Sequence, residues 1–227
     1  SALRLSGVET NNSNYSNLIN FSSVKPSIRV YGNIPFILCV GTIEIRKSPL
    51  RLLQAWKQLI ERSGGDIPRL VFAGHMGWLV DDFRTVLEAT GNLMGYIDVI
   101  EQPTDIDLSF LYENCLFIVM PSIYEGWGLP VGEGLSFGKT AVISNTSSIP
   151  EVGQALVESC DPTSVSSIAD AVWKLVSEPE ARLLLENKIR NTKLRSWNDV
   201  GKDLIEIVKQ MEIQGGGAPP ENTELDT

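Results

Sequence analysis

The sequence predicts an α/β fold built on one parallel sheet with helices on both faces. Three observations carry this reading. Short, wholly apolar runs recur along the chain, Phe36-Ile37-Leu38-Cys39-Val40 being the clearest, as expected of strands buried on both faces. Between them lie segments whose apolar residues repeat roughly every 3.6 positions, the mark of a helix with one face turned to a core. The two kinds alternate, and strand-then-helix order implies parallel strands joined by right-handed crossovers. Together they predict a single Rossmann-like domain.

Residues 1–34 are polar and rich in Asn and Ser, with Asn11, Asn12, Ser13 and Asn14 in a row, and read as an extended lead-in or interdomain segment. The domain is expected over 35–213. After the first strand, Pro49 opens a helix with an apolar stripe of Leu52, Leu53, Trp56, Leu59 and Ile60, which Gly64-Gly65 ends. Leu70-Val71-Phe72-Ala73 is the second strand, followed by a helix near 79–90. Tyr96-Ile97-Asp98-Val99-Ile100 is the third, and Thr104 caps a helix over 105–114. Leu116-Phe117-Ile118-Val119-Met120 is the fourth, Thr140-Ala141-Val142-Ile143-Ser144 the fifth, and Ala155-Leu156-Val157 a short sixth. Asp161-Pro162 then introduces helices. Their apolar stripes run Val165, Ile168, Ala169, Val172, Leu175, Val176 and, later, Val200, Leu204, Ile207, Val208, Met211. Residues 214–227, with Gly215-Gly216-Gly217 and Pro219-Pro220, read as a disordered tail or linker.

Composition narrows the function. A chain of 227 residues, 43% of them hydrophobic, can bury one full-sized core. A net charge of −9 argues against nucleic acid or an anionic membrane as the main partner. No apolar run is long enough to span a bilayer, and no signal-peptide pattern opens the chain. Three well-separated cysteines, Cys39, Cys115 and Cys160, suggest buried reduced thiols and a cytoplasmic setting, with membrane association left to other parts of a parent protein. His75 is the only histidine, which nearly excludes a His-based metal site or a Ser-His-Asp triad. The opening Ser1-Ala2-Leu3, without methionine, suggests a piece of something longer.

The chemistry concentrates in Glu125-Gly126-Trp127-Gly128-Leu129-Pro130-Val131-Gly132-Glu133, directly after the fourth strand. Pro130 suits a first helical turn, so the segment turns off a strand end and exposes N–H groups at a helix N-terminus, where oxygen-rich or anionic ligands bind. Glu125 and Glu133 can both face the crevice at the carboxyl ends of the strands. Two carboxylates would repel a phosphate, so vicinal diols of a sugar or ribose are their natural partners. Arg46-Lys47, in the loop after the first strand, supplies the positive charge that a diphosphate needs. Asp105-Ile106-Asp107 sits just inside a helix start, where acidic residues complement the dipole rather than bind metal.

Four segments in order carry a resemblance. They are Val40-Gly41-Thr42-Ile43-Glu44-Ile45-Arg46-Lys47-Ser48, Phe72-Ala73-Gly74-His75-Met76-Gly77-Trp78, the Glu125–Glu133 motif, and Ser144-Asn145-Thr146-Ser147-Ser148-Ile149-Pro150-Glu151-Val152. From about Pro35 to Met211 the chain resembles the C-terminal, donor-binding half of family 4 retaining glycosyltransferases, one half of a GT-B fold. The resemblance implies that Lys47 and Arg46 bind the diphosphate of a nucleotide-sugar, that Glu125 holds sugar hydroxyls and that Glu133 holds the ribose diol. It places the N–H groups of Gly126, Trp127, Gly128 and Leu129 against hexose or phosphates, and Val99 and Ile100 against the base. Trp127 reads equally as a wall of the sugar pocket or as ordinary packing, Val99 and Ile100 equally as core strand. His75 faces the ligand side, where a loop hydrogen bond is the favoured role over phosphate contact.

The chain also departs from that pattern. Many relatives carry Arg where Thr42 stands, so phosphate binding should lean on Arg46 and Lys47. Gly134 and Gly138 loosen a helix that relatives fill with larger residues. By the resemblance, donor binding needs no metal or other cofactor, and the partners are the nucleotide-sugar, an N-terminal acceptor domain absent from this chain, and a glycan or lipid-linked acceptor. No catalytic residue is assigned, and the domain alone is expected to be inactive. A non-catalytic nucleotide-sugar-binding or assembly module of the same fold is the alternative; an epimerase is disfavoured by the single histidine.

Overall fold

The wholly apolar run Phe36–Val40 forms β1, buried along its full length at the centre of a six-stranded parallel sheet. The structure, a computed structural model, describes residues 21–194 and 197–215. The other strands are β2 (Arg69–Ala73), β3 (Ile97–Ile100), β4 (Ile118–Met120), β5 (Ala141–Ser144) and β6 (Glu158–Cys160). Their spatial order is β3-β2-β1-β4-β5-β6, and every pairing is parallel. The chain builds outward from β1 to β3, then returns to lay β4 on the other side of β1. That reversal opens a crevice at the carboxyl ends of β1 and β4, where α/β sheets bind ligands.

Both faces of the sheet are covered by helices, as the continuous apolar strands require. On one face Ile37, Cys39, Phe72 and Val119 pack in a single core with Leu52 and Trp56 of α2 (Pro49–Ser63), Phe83 of α3 (Asp81–Gly95) and Val172 of α7 (Val165–Ser177). The opposite face receives α5 (Leu129–Ser136), preceded by α4 (Asp105–Asn114) and followed by the short α6 (Ile149–Gly153). Here Gly134 has a reason: a Cβ on it would strike Ile118 Cδ1, so its absence lets α5 lie close against β4. Gly138, at φ +74, reverses the chain where the carbonyls of Gly134 and Leu135 accept from Lys139 and Gly138.

Most elements fall where periodicity puts them, with four differences. The sixth strand lies three residues later than expected. Gln154–Leu156 forms a 3-10 turn, and the Leu156 carbonyl accepts from the buried Thr140 hydroxyl at 2.7 Å. Glu158–Cys160 is an edge strand whose first two residues are polar and not buried, so it carries no apolar run. The helix after β2 keeps right-handed geometry to Thr90, and Gly91–Met94 then turn left-handed. Residues 21–34 belong to the packed unit rather than to an extended lead-in. They form α1 (Pro26–Arg29) and flanking 3-10 turns, Val24, Ile28 and Tyr31 are buried, and the Tyr31 ring meets Phe36 at 5.2 Å. Lastly, compactness divides the chain into Ser1–Thr192 and Lys193–Thr227 instead of ending one domain at 213.

The first unit closes with α8 (Pro179–Arg190), and the second holds α9 (Trp197–Gly215), in which Leu204, Ile207, Val208 and Met211 are exposed. The expected lead-in over 1–20 and tail over 216–227 lie outside the described residues. Among the described residues no helix is long and apolar enough to cross a membrane.

Candidate functional site

Two loops at the reversal point carry the charged residues. β1 ends at Val40, and Gly41 follows at φ +115, a conformation that favours glycine. A side chain there would also strike Lys47 Nζ, so Gly41 makes room for the ammonium to fold back over the strand end. Ile45–Lys47 form a 3-10 turn, Ser48 turns left-handed at φ 55, and Pro49 starts α2. The neighbouring loop after β2 is tied on by Ile43, whose N–H donates to His75 O at 2.8 Å and whose carbonyl accepts from Gly77 at 2.8 Å. A Cβ on Gly74 would strike the Gly41 carbonyl, so the approach of the two loops needs glycine at 74.

The loop after β4 closes the other side. Glu125, only 9% exposed, is the centre of the cluster. Its Oε2 meets Arg46 Nη1 at 2.6 Å, while its Oε1 accepts from Ser122 at 3.2 Å and faces Lys47 Nζ at 3.8 Å. Its backbone is held by the loop after β5. The Ser147 hydroxyl accepts the Glu125 N–H at 3.1 Å, and the Glu125 carbonyl accepts from Ser147 at 2.7 Å and Ser148 at 2.8 Å. The Ile123 N–H donates to Arg46 O at 2.7 Å, fastening the two loops at the backbone as well.

Arg46 has a second carboxylate. Its Nη2 meets Glu44 Oε1 at 2.6 Å, and Glu44 Oε2 accepts the Trp78 indole N–H at 2.7 Å. Burial alone would lower the pKa of Arg46, but hydrogen bonds and charge from Glu125 and Glu44 hold it above its ordinary value. The basic pair expected from Arg46-Lys47 is therefore unequal. Both terminal nitrogens of Arg46 are engaged by protein oxygens, whereas Lys47 has only its longer ion pair among the described residues.

Beyond Glu125 the chain swings through Gly126 and the exposed Trp127 to Gly128, at φ +90, which caps α5. Among the described residues, the N–H groups of Gly126, Trp127, Gly128 and Leu129 donate to no protein acceptor. Four free donors at a helix start suit an anion or a hydroxyl-rich ligand. Glu133 lies one turn into α5 and is exposed, but its rotamer is held from below. The buried Tyr112 of α4 donates to Glu133 Oε2 at 2.6 Å and stacks on Phe137 with ring centres 5.4 Å apart. Burial, then the Glu133 carboxylate, raise the Tyr112 pKa far above its usual value, so the phenol remains a donor.

The other expected site residues line neighbouring strand ends. Val99 and Ile100 end β3 half-buried, and Ile100 O accepts from Gly74. Thr42 is exposed, with its methyl against Gly77. His75 is exposed, and it is its carbonyl that makes the loop bond to Ile43. Trp127 is 48% exposed. Asp107 is fully buried and completes a capping box with Thr104, while Asp105 points outward. The three cysteines are buried and free, and burial pushes each thiol up to about 12. Two shallow concavities lie elsewhere, one lined by Glu158, Ser164, Asp170 and Lys174, the other by Ile34, Arg69, Met94 and Tyr96.

Comparison with known proteins identifies the family and the fold. Residues 21–192 match the family described as glycosyl transferases group 1. The chain belongs to that family. It is 32% identical over 175 residues to the O-antigen chain mannosyltransferase B of Escherichia coli, covering 77% of this chain and 45% of the relative. It is 47% identical over 118 residues to the serotype-specific mannosyltransferase WbdA of Escherichia coli, covering 52% of this chain and 14% of the relative. The chain thus spans less than half the length of these curated relatives. Among solved structures, Anabaena HepE in complex with UDP and glucose superposes with a TM-score of 0.67 at 12% identity, over 82% of this chain and 53% of that one. That likeness concerns the fold: a Rossmann-like domain of the GT-B glycosyltransferase type.

Sequence reasoning missed five residues of this crevice: Glu44, Trp78, Tyr112, Ser147 and Ser148. Glu44 had a signal, an acidic residue two positions before Arg46 in a Gly-led loop. Tyr112 had none, because a single Tyr on an apolar helix reads as core.

Proposed function

We propose that this domain binds the donor of a retaining hexosyltransferase that moves a sugar from a nucleotide diphosphate to a glycan or glycolipid acceptor. The observation that carries the reading is the convergence of Lys47 and Glu125 from opposite sides of the β1/β4 crevice, beside four free N–H donors. Lys47 supplies charge to the diphosphate, and the Gly126–Leu129 N–H groups supply hydrogen bonds. Glu133, braced through one oxygen by Tyr112, keeps the other for the ribose diol. Glu125 sits deeper, where it can accept from sugar hydroxyls, and the ends of Val99 and Ile100 offer backbone groups to the base. Charge on the diphosphate is met by protein groups, so no metal enters the proposal. The acceptor and the rest of the reaction centre belong to an N-terminal domain of a longer, cytoplasmic protein. Mannose is the first hexose to test, since two relatives are named mannosyltransferases.

Calorimetry with UDP, GDP and ADP, each with and without EDTA, tests the reading. One diphosphate and its sugar conjugate should bind in EDTA, GDP and GDP-mannose being the first arm. Binding only with Mg²⁺ or Mn²⁺ would overturn the metal-free mode, and no binding of any nucleotide would overturn the donor-domain reading.

A further inference from the structure

We propose that Glu44 is a positioning residue that converts Arg46 from a phosphate ligand into a brace for Glu125, leaving Lys47 as the cation for the diphosphate. The inference rests on the donor-binding reading above and concerns the same site. Its basis is the unequal satisfaction of two adjacent cations. Arg46 Nη1 is shared by Glu125 Oε2 at 2.6 Å and Tyr124 O at 3.0 Å, and Nη2 is taken by Glu44 Oε1 at 2.6 Å. A planar guanidinium gripped on both arms has a fixed orientation and strong, charge-assisted bonds to lose.

Glu44 is itself anchored. It is 7% exposed, and its second oxygen accepts the Trp78 indole N–H at 2.7 Å, a second contact that orients the carboxylate beside Arg46. Lys47 stands in contrast. Its side chain is only 12% exposed, folded over Gly41, and its single ion pair among the described residues is 3.8 Å long. An ammonium has three donors, and a poorly satisfied one at a crevice gains most from an incoming oxyanion. The charges agree. Glu44 and Glu125 balance Arg46 and Lys47, so releasing Arg46 to a phosphate would strand two buried carboxylates. Glu44 therefore spends the Arg46 charge inside the protein, where it sets the Glu125 carboxylate in place for sugar hydroxyls.

The test titrates UDP, GDP and ADP, with the matching sugar conjugates, into the 227-residue chain and its Glu44→Gln, Arg46→Ala, Arg46→Gln and Lys47→Ala variants, each checked by thermal melting. Lys47→Ala should weaken the bare diphosphate about tenfold or more. Glu44→Gln keeps an acceptor for Trp78 but removes the negative charge. Arg46 is then freed towards the phosphates, so the bare diphosphate should bind about threefold tighter while the preference for the sugar conjugate falls. Arg46→Ala, or Arg46→Gln if the former does not fold, should cost the conjugate about tenfold more than the bare diphosphate. Equal losses of bare diphosphate in the Arg46 and Lys47 variants would overturn the proposal. So would a Glu44→Gln protein with weakened or unchanged affinities. Failure of the unmodified chain to bind any nucleotide would remove the donor-domain reading, and this proposal with it.

Discussion

Glu125 and Glu133 belong to one motif, yet they live in opposite environments. Glu125 is buried among Arg46, Lys47 and Ser122, and its backbone is pinned by two serines from the next loop. Glu133 is exposed, forms no ion pair among the described residues, and is held through a single oxygen by the buried Tyr112 phenol. The contrast teaches that one spacing of carboxylates can yield a structural hub and a presented ligand. Which is which depends on the neighbours that each helix or strand end brings.

Substitution at each carboxylate gives the widest separation between them. Glu125→Ala leaves Arg46 and Lys47 without their shared partner and should cost about 3 kcal/mol, moderated because Arg46 is partly exposed. Glu133→Ala removes only an acceptor for Tyr112 and should cost about 1 kcal/mol. Urea unfolding of both variants measures this, and equal losses would break the comparison.

Ligand binding sharpens it. Glu133→Gln should weaken bare nucleotide and sugar conjugate alike, by about fivefold to tenfold, because the ribose diol occurs in both. Glu125→Gln should hurt the conjugate and largely spare the bare nucleotide. If both variants lost bare nucleotide equally, the two residues would act as one brace for the Gly126–Pro130 turn.

A smaller effect isolates the phenol. Tyr112→Phe keeps the stack on Phe137 and removes the donor to Glu133, so about 1 kcal/mol of stability should go, with a twofold to fivefold loss of nucleotide affinity. Nucleotide affinity unchanged in this variant would show that Glu133 needs no brace.

A third carboxylate calibrates the pair by pH. Burial alone would raise the Asp107 pKa, but hydrogen bonds from the Lys25 and Thr104 N–H groups, with the Lys25 charge, hold it below its usual 3.8. A carboxyl depressed on folding stabilises the protein above its unfolded pKa, and that contribution fades as pH falls through the lower folded value. Asp107→Asn should therefore unfold more readily near neutrality and lose less stability than the unmodified chain on acidification below 3.8. Parallel acid titration curves for the two proteins would refute the assignment.

Much of the crevice was legible because it depends on local rules. Pro49 and Pro130 mark helix starts and Thr104 marks a cap, each readable within a few residues. The lead-in misled because Asn and Ser dominate its first half, whereas Val24, Ile28 and Tyr31 find burial only once the fold has formed, Tyr31 against Phe36 of β1. β6 misled because an edge strand needs no apolar run. Glu44 was read only as part of a motif, since nothing nearby in the chain announces Trp78 as its partner.

By itself, the sequence determined the alternation of strands and helices, the turns that end them, and the residue types gathered at the strand ends. Those are short-range matters of dihedral freedom and apolar period. Tertiary structure decided which charges meet. Arg46 reaches the Tyr124 carbonyl across 78 residues, and its pairing with Glu125 exists because β1 and β4 lie side by side at the point where the sheet reverses direction. Burial then removes the water that would have separated the same charges, so an ion pair forms only where packing has already brought its partners together.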